Sequence, residues 1–162
     1  MLKLRDALAA AGMLLALGTA SLADAGRPGH AHDQITFSAG EPGDPKKPAE
    51  VYLIVMRETE GKMVFIPDRI EVRKGSQVRF ILRNNGALEH EFVLASAEDN
   101  RKHAEEMRKY PDMEHEDPNA KRLKPRQSSE IVWRFTKAGE FEFACLIPGH
   151  PEAGMIGKVI VK

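Results

Sequence analysis

Beyond residue 50 the chain is written largely in period two. Val78, Phe80 and Leu82 alternate with Gln77, Arg79 and Arg83, and Phe141, Phe143 and Cys145 alternate with Glu140, Glu142 and Ala144. Successive side chains of an extended chain point to opposite faces, so this alternation predicts strands with one apolar face. Shorter runs at 63–66, 70–72, 90–94, 129–135 and 156–161 read the same way, and the unbroken apolar run 51–56 reads as a strand covered on both faces or a strand at the sandwich centre. Gly75-Ser76 and Asn84-Asn85-Gly86 supply turns, because Gly and Asn accept positive φ at little cost.

One segment departs from the alternation. Ser96-Ala97-Glu98-Asp99 has the form of a helix start with an acidic first turn, helix formers continue to Tyr110, and Pro111 ends them. Pro118 and Pro125 punctuate the polar chain that follows, so residues 96–127 are expected to be a helix-and-loop insertion between two strands. Many short strands with one helix predict an all-β Greek-key sandwich or barrel.

The N-terminal 50 residues carry a different pattern. Lys3 and Arg5 precede a largely apolar stretch, Ala7 to Leu17, and small residues then run from Gly18 to Ala25, which is the form of an export signal. The stretch is shorter than the roughly 20 residues a spanning helix needs. Cleavage after Ala23 or Ala25 would release a periplasmic protein with no membrane span. Residues 26–50, rich in Gly, Pro and charge, read as a flexible leader, which leaves 51–162 as a single domain. The 24 basic and 24 acidic residues cancel, so no global field draws the chain to nucleic acid or to an anionic membrane, and a monomer is expected.

Composition turns attention to one side chain, since Cys145 is the sole cysteine. It cannot form an intramolecular disulfide, and an exposed thiol would be a liability in an oxidising compartment, so it is either buried and inert or committed to chemistry. Strand parity turns Cys145 inward, and the same parity turns His90, Phe92 and Leu94 inward on an earlier strand. Downstream of the thiol the chain reads Cys145-Leu146-Ile147-Pro148-Gly149-His150-Pro151-Glu152-Ala153-Gly154-Met155. Any one of these His, Cys or Met residues alone would be ordinary core or loop. Together they offer thiolate, thioether and imidazole, a set that suits neither oxidation state of copper exclusively and so favours a one-electron couple.

Cys-x4-His-x4-Met behind an upstream inward histidine resembles the type 1 copper site of the cupredoxins, with the spacing of the rusticyanin and auracyanin branch. Phe65-x-Pro67, Ile70-x-Val72 and Gly75-x-x-Val78 extend the resemblance over roughly 51–162. It implies His90, Cys145 and His150 as equatorial ligands of one copper ion and Met155 as the weak axial one. Glu91 departs from the family, which often has Asn, Ser or Asp after the first histidine. Two roles follow from the resemblance: a periplasmic electron carrier whose redox partner docks near His150, or a copper-tolerance protein that binds or oxidises excess copper.

Other features narrow these choices. A multicopper oxidase or nitrite reductase needs further domains and several His-x-His pairs, whereas here only His30-x-His32 occurs; a binuclear two-cysteine centre is excluded by the cysteine count. No glycine-rich phosphate loop is present. His103 and Met107, four apart on the expected helix, with Met113 and His115 beyond it, are candidates for a second, looser copper site, and His30 and His32 are weaker ones. The bland alternative for the helix pair is a solvated face. Met56 and Met63 read as core filler.

Overall fold

The structure, a computed structural model, describes residues 36–110 and 117–162. Within it, strands β1 (Glu41–Pro42), β2 (Glu50–Thr59), β3 (Lys62–Ile66), β4 (Arg69–Val72), β5 (Gln77–Asn84) and β6 (His90–Ala95) precede helix α1 (Ala97–Lys109). Strands β7 (Ala120–Leu123), β8 (Ser128–Arg134), β9 (Gly139–Ala144) and β10 (Ile156–Val161) complete the chain. They form two five-stranded sheets, ordered β1-β8-β5-β2-β3 and β4-β10-β9-β6-β7, the expected all-β sandwich with a single helical insertion.

The inward faces meet in an aromatic core. Phe92 stacks on Phe143 with centroids 5.2 Å apart and planes inclined by 16°, and the edges of Phe65 and the tilted ring of Phe80 close around the pair. Trp133, Ile54, Leu82 and Val159 are fully buried in the same cluster.

Three expectations are corrected here. Strand β2 is covered on one face only: Val51 and Leu53 are 63% and 51% exposed, and only the parity of Ile54 and Met56 is buried. The ordered domain also starts earlier than Val51. Residues 36–50 lie on the sandwich, with β1 paired to β8, Ala39 wholly buried, and the Trp133 indole donating from Nε1 to the Ala39 carbonyl at 3.1 Å. The edge of Phe37 meets the same indole at 5.3 Å between centroids. Finally, the insertion is not helix and loop alone, because β7 within it pairs with β6. The export signal at residues 1–25 and the leader up to residue 35 lie outside the described residues.

Helix α1 starts where expected. The Ser96 hydroxyl accepts from Asp99 N, Glu98 and Asp99 sit in the first turn, and Arg108 and Lys109 in the last, an arrangement that complements the helix dipole. The helix covers the outer face of β6 and β9. Met107, Val93, Ala120, Ala144 and Leu146 form a second apolar cluster beneath it, so every residue of β6 is buried, on one face by the sandwich and on the other by the helix.

Candidate metal centre

Two separated stretches bring the donors together. His90 opens β6, directly after the turn that follows β5, and Cys145 directly follows the last residue of β9. The loop between β9 and β10 then carries His150 and Met155. Backbone hydrogen bonds hold this loop in a compact turn: His150 N donates to Ile147 O, Ala153 N to Gly149 O, Gly154 N to Pro151 O, and Met155 N to His150 O, at 3.0–3.1 Å. Cys145 N donates to Met155 O at 3.1 Å and closes the loop at its base. Gly149, at φ 91°, takes the left-handed conformation directly before His150 that a side chain would strain.

The His90 and His150 Nδ1 atoms lie 3.3 Å apart, and Cys145 Sγ lies 3.2 Å from His150 Nδ1; all three donors fall within 4.8 Å of one another. With bonds of about 2.0 Å to nitrogen and about 2.3 Å to sulfur, donors to one ion sit roughly 3–4 Å apart, and this set meets that requirement. His90 and Cys145 are wholly buried and His150 is 9% exposed. Met155 is also wholly buried, in the same core cluster as Cys145. By the chemistry of its donors the site fits copper: one soft sulfur, two imidazoles, and a thioether in the adjoining core.

In the metal-free protein the two loop donors differ in how they hold a proton. Burial pushes the Cys145 thiol up to about 12, although backbone N–H groups of Glu91 and Ile147 point at the sulfur and partly offset it. Glu91 N lies 3.3 Å from Sγ. Burial, and then the neighbouring His90, lower the pKa of His150 below the usual imidazole value.

One contributor escaped the sequence reading. Glu58, near the end of β2, places Oε1 2.9 Å from His90 Nε2. It shares the face of Tyr52, Ile54 and Met56, so an acidic residue at an inward strand parity was the available signal. Of the accessory candidates, Met107 is fully packed beneath α1, where the sheet supplies an apolar face, and is core rather than ligand. Its partner on the helix, His103, lines a cavity with Asn100, Asp117 and Asn119 instead. Met56 is core and Met63 packs against it, as expected. Met113, His115, His30 and His32 lie outside the described residues.

Residues 53–162 match the copper-binding proteins of the plastocyanin/azurin family. The copper-resistant cuproprotein CopI of Rubrivivax gelatinosus is 50% identical over 166 residues, which cover 98% of this chain and 97% of that one. The protein of the same name from Pseudomonas aeruginosa is 34% identical over 161 residues, covering 82% and 85%. Among solved structures, auracyanin B is similar at a TM-score of 0.61 and 20% identity, over 76% of this chain and 96% of that one. Reduced auracyanin of Roseiflexus castenholzii gives 0.57 at 22% identity, over 68% and 96%. At these identities the auracyanins show a shared fold.

Proposed function

The chain belongs to the plastocyanin/azurin family of copper-binding proteins, and from that premise we propose that His90, Cys145 and His150 hold one copper ion, with Met155 as a weak fourth donor, in an exported protein serving copper tolerance. The observation that carries the reading is the convergence of one sulfur and two Nδ1 atoms within 4.8 Å in a buried pocket. Bound there, copper would supply a one-electron couple. The protein's own part is to hold the donors still: His90 is locked in a strand covered on both faces, and the 145–155 loop is tied through its backbone. Water is excluded from two of the three clustered donors.

Copper tolerance is favoured by relatives that carry the name copper-resistant cuproprotein and match nearly full length at up to 50% identity. Export rests on the N-terminal pattern of Lys3, Arg5 and the apolar run after them. Among the described residues no helix is long and apolar enough to cross a membrane. A second reading, a periplasmic electron carrier, is supported by His150, the one residue of the three clustered donors that is not wholly buried. A redox partner would dock over that edge. Deleting the gene separates the two: sensitivity to excess copper with normal respiration, not rescued by the Cys145→Ser chain, is expected, whereas normal tolerance with failed respiration would favour the carrier.

The protonation states add a pH dependence. Below about 12 the Cys145 thiol keeps its proton in the metal-free protein, so loading must expel it. Between about pH 7 and 9 the apparent cuprous affinity should therefore rise roughly tenfold per pH unit, with one proton released per ion. Affinity falls as pH falls, and the lowered pKa of His150 delays proton competition at that imidazole to pH values below its usual range. Competition titrations against a cuprous chelator at pH 7, 8 and 9 measure the slope; a flat profile would show that no thiol proton is displaced.

A further inference from the structure

Both carboxylate oxygens of Glu58 are engaged. Oε2 accepts from Ala87 N at 2.8 Å, and Oε1 accepts from Leu88 N at 2.9 Å and faces His90 Nε2 at the same distance. The turn is shaped to receive it: a Cβ on Gly86 would fall 2.5 Å from Oε2, so only glycine lets the backbone approach this closely. Asn84 secures the same turn from the other side, its Nδ2 donating to Leu88 O and Leu123 O while its Oδ1 accepts from Gly86 N. Leu88 is thereby held through both its N–H and its carbonyl, two residues before His90.

One backbone N–H donates to each Glu58 oxygen, from Ala87 to Oε2 and from Leu88 to Oε1, an arrangement that favours the ionised carboxylate. A carboxylate only accepts. The proton of a neutral His90 ring therefore belongs on Nε2, which leaves the lone pair on Nδ1, the atom that faces His150 Nδ1 at 3.3 Å.

We propose that Glu58 is a positioning residue for the copper centre: its carboxylate takes the Nε2–H of His90, commits Nδ1 to the ion, and strengthens that imidazole as a donor so that the cupric state is favoured over the cuprous. The inference rests on the reading of His90 as a copper ligand. Its physical basis is the general one for carboxylate–histidine–metal arrangements, in which the outer acceptor fixes the tautomer and raises ligand basicity. A negative charge one imidazole away from the ion also stabilises the higher oxidation state more than the lower.

The test combines a variant with a measurement that needs none. In Glu58→Gln the ratio of cupric to cuprous affinity should fall about tenfold, read as a rise of about 59 mV in the one-electron reduction potential. A purely structural role would lower the melting temperature and leave the potential in place. In the metal-free wild-type protein at pH 8, nitrogen–proton NMR correlations of the imidazole should show His90 as the Nε2–H tautomer, whatever the fate of the variant. An Nδ1–H tautomer, or an unchanged potential in a folded Glu58→Gln protein that keeps its thiolate–copper absorption, overturns the role of Glu58 alone. Absence of that absorption from the wild-type protein overturns the copper centre itself and this inference with it.

Discussion

Replacing Cys145 by serine should abolish the thiolate–copper absorption expected of the copper-loaded protein and lower its copper affinity by on the order of a hundredfold or more, while the metal-free fold should survive. Sγ is the soft partner in an otherwise nitrogen-based set, and a serine hydroxyl is a hard donor that stays protonated at neutral pH. Removing an outer partner of a metal ligand commonly costs 10–100-fold in affinity, and a direct ligand carries more. The fold should survive because serine differs little from cysteine in volume and the N–H groups aimed at Sγ can donate to Oγ. Absorption and electron paramagnetic resonance spectra of the copper-loaded pair decide the matter, with far-ultraviolet circular dichroism of the metal-free pair as the control for folding. Matching spectra would rule out thiolate ligation.

The largest effect on stability is expected at Phe92. Its ring is wholly buried, stacked on Phe143 and closed in by Phe65 and Phe80, so truncation leaves a hole that neighbours from two sheets cannot jointly fill. Phe92→Ala should destabilise the metal-free protein by about 3–5 kcal/mol. At roughly 4 °C per kcal/mol for a domain of this size, the melting temperature would drop by roughly 12–20 °C. Copper loading should recover part of the loss, because a ligand that binds only the folded state stabilises it. Denaturant melts with and without copper provide the check, and a loss under about 1 kcal/mol would mean the aromatic cluster is not the principal support of the sandwich.

The strands were legible wherever one face was apolar and the other charged, as in Gln77–Asn84, because period two records that division directly. The convergence of His90, Cys145 and His150 was legible for a related reason: parity turned His90 and Cys145 inward, and the short spacing along one loop kept His150 near the thiol. Elements whose existence depends on distant partners were not legible. Strand β7 is only Ala120–Leu123, with Lys121 and Arg122 between its ends, and becomes a strand because β6 offers it an edge. The short β1 is likewise created by β8 and by the seat that Trp133 provides for Ala39. Met107 could not be assigned from helical spacing alone, since ligand and core methionines recur at the same period. The apolar residues Val93, Ala144 and Leu146, at positions facing away from the sandwich core, were the sign that something lay over that face. Glu58 required both an inward parity and knowledge that the 84–90 turn passes beside it, and only the first is written in the chain.

The double cover on β6 also sets the order in which the centre can come apart. A strand pressed from both sides opens only when the whole domain does, whereas a surface turn can fray by itself. His90 should therefore be held while the 146–154 turn opens locally. An ion bound there would meet His150 at the entrance and leave His90 last, so the lifetime of the loaded state should follow the pliancy of one nine-residue turn rather than the stability of the sandwich as a whole.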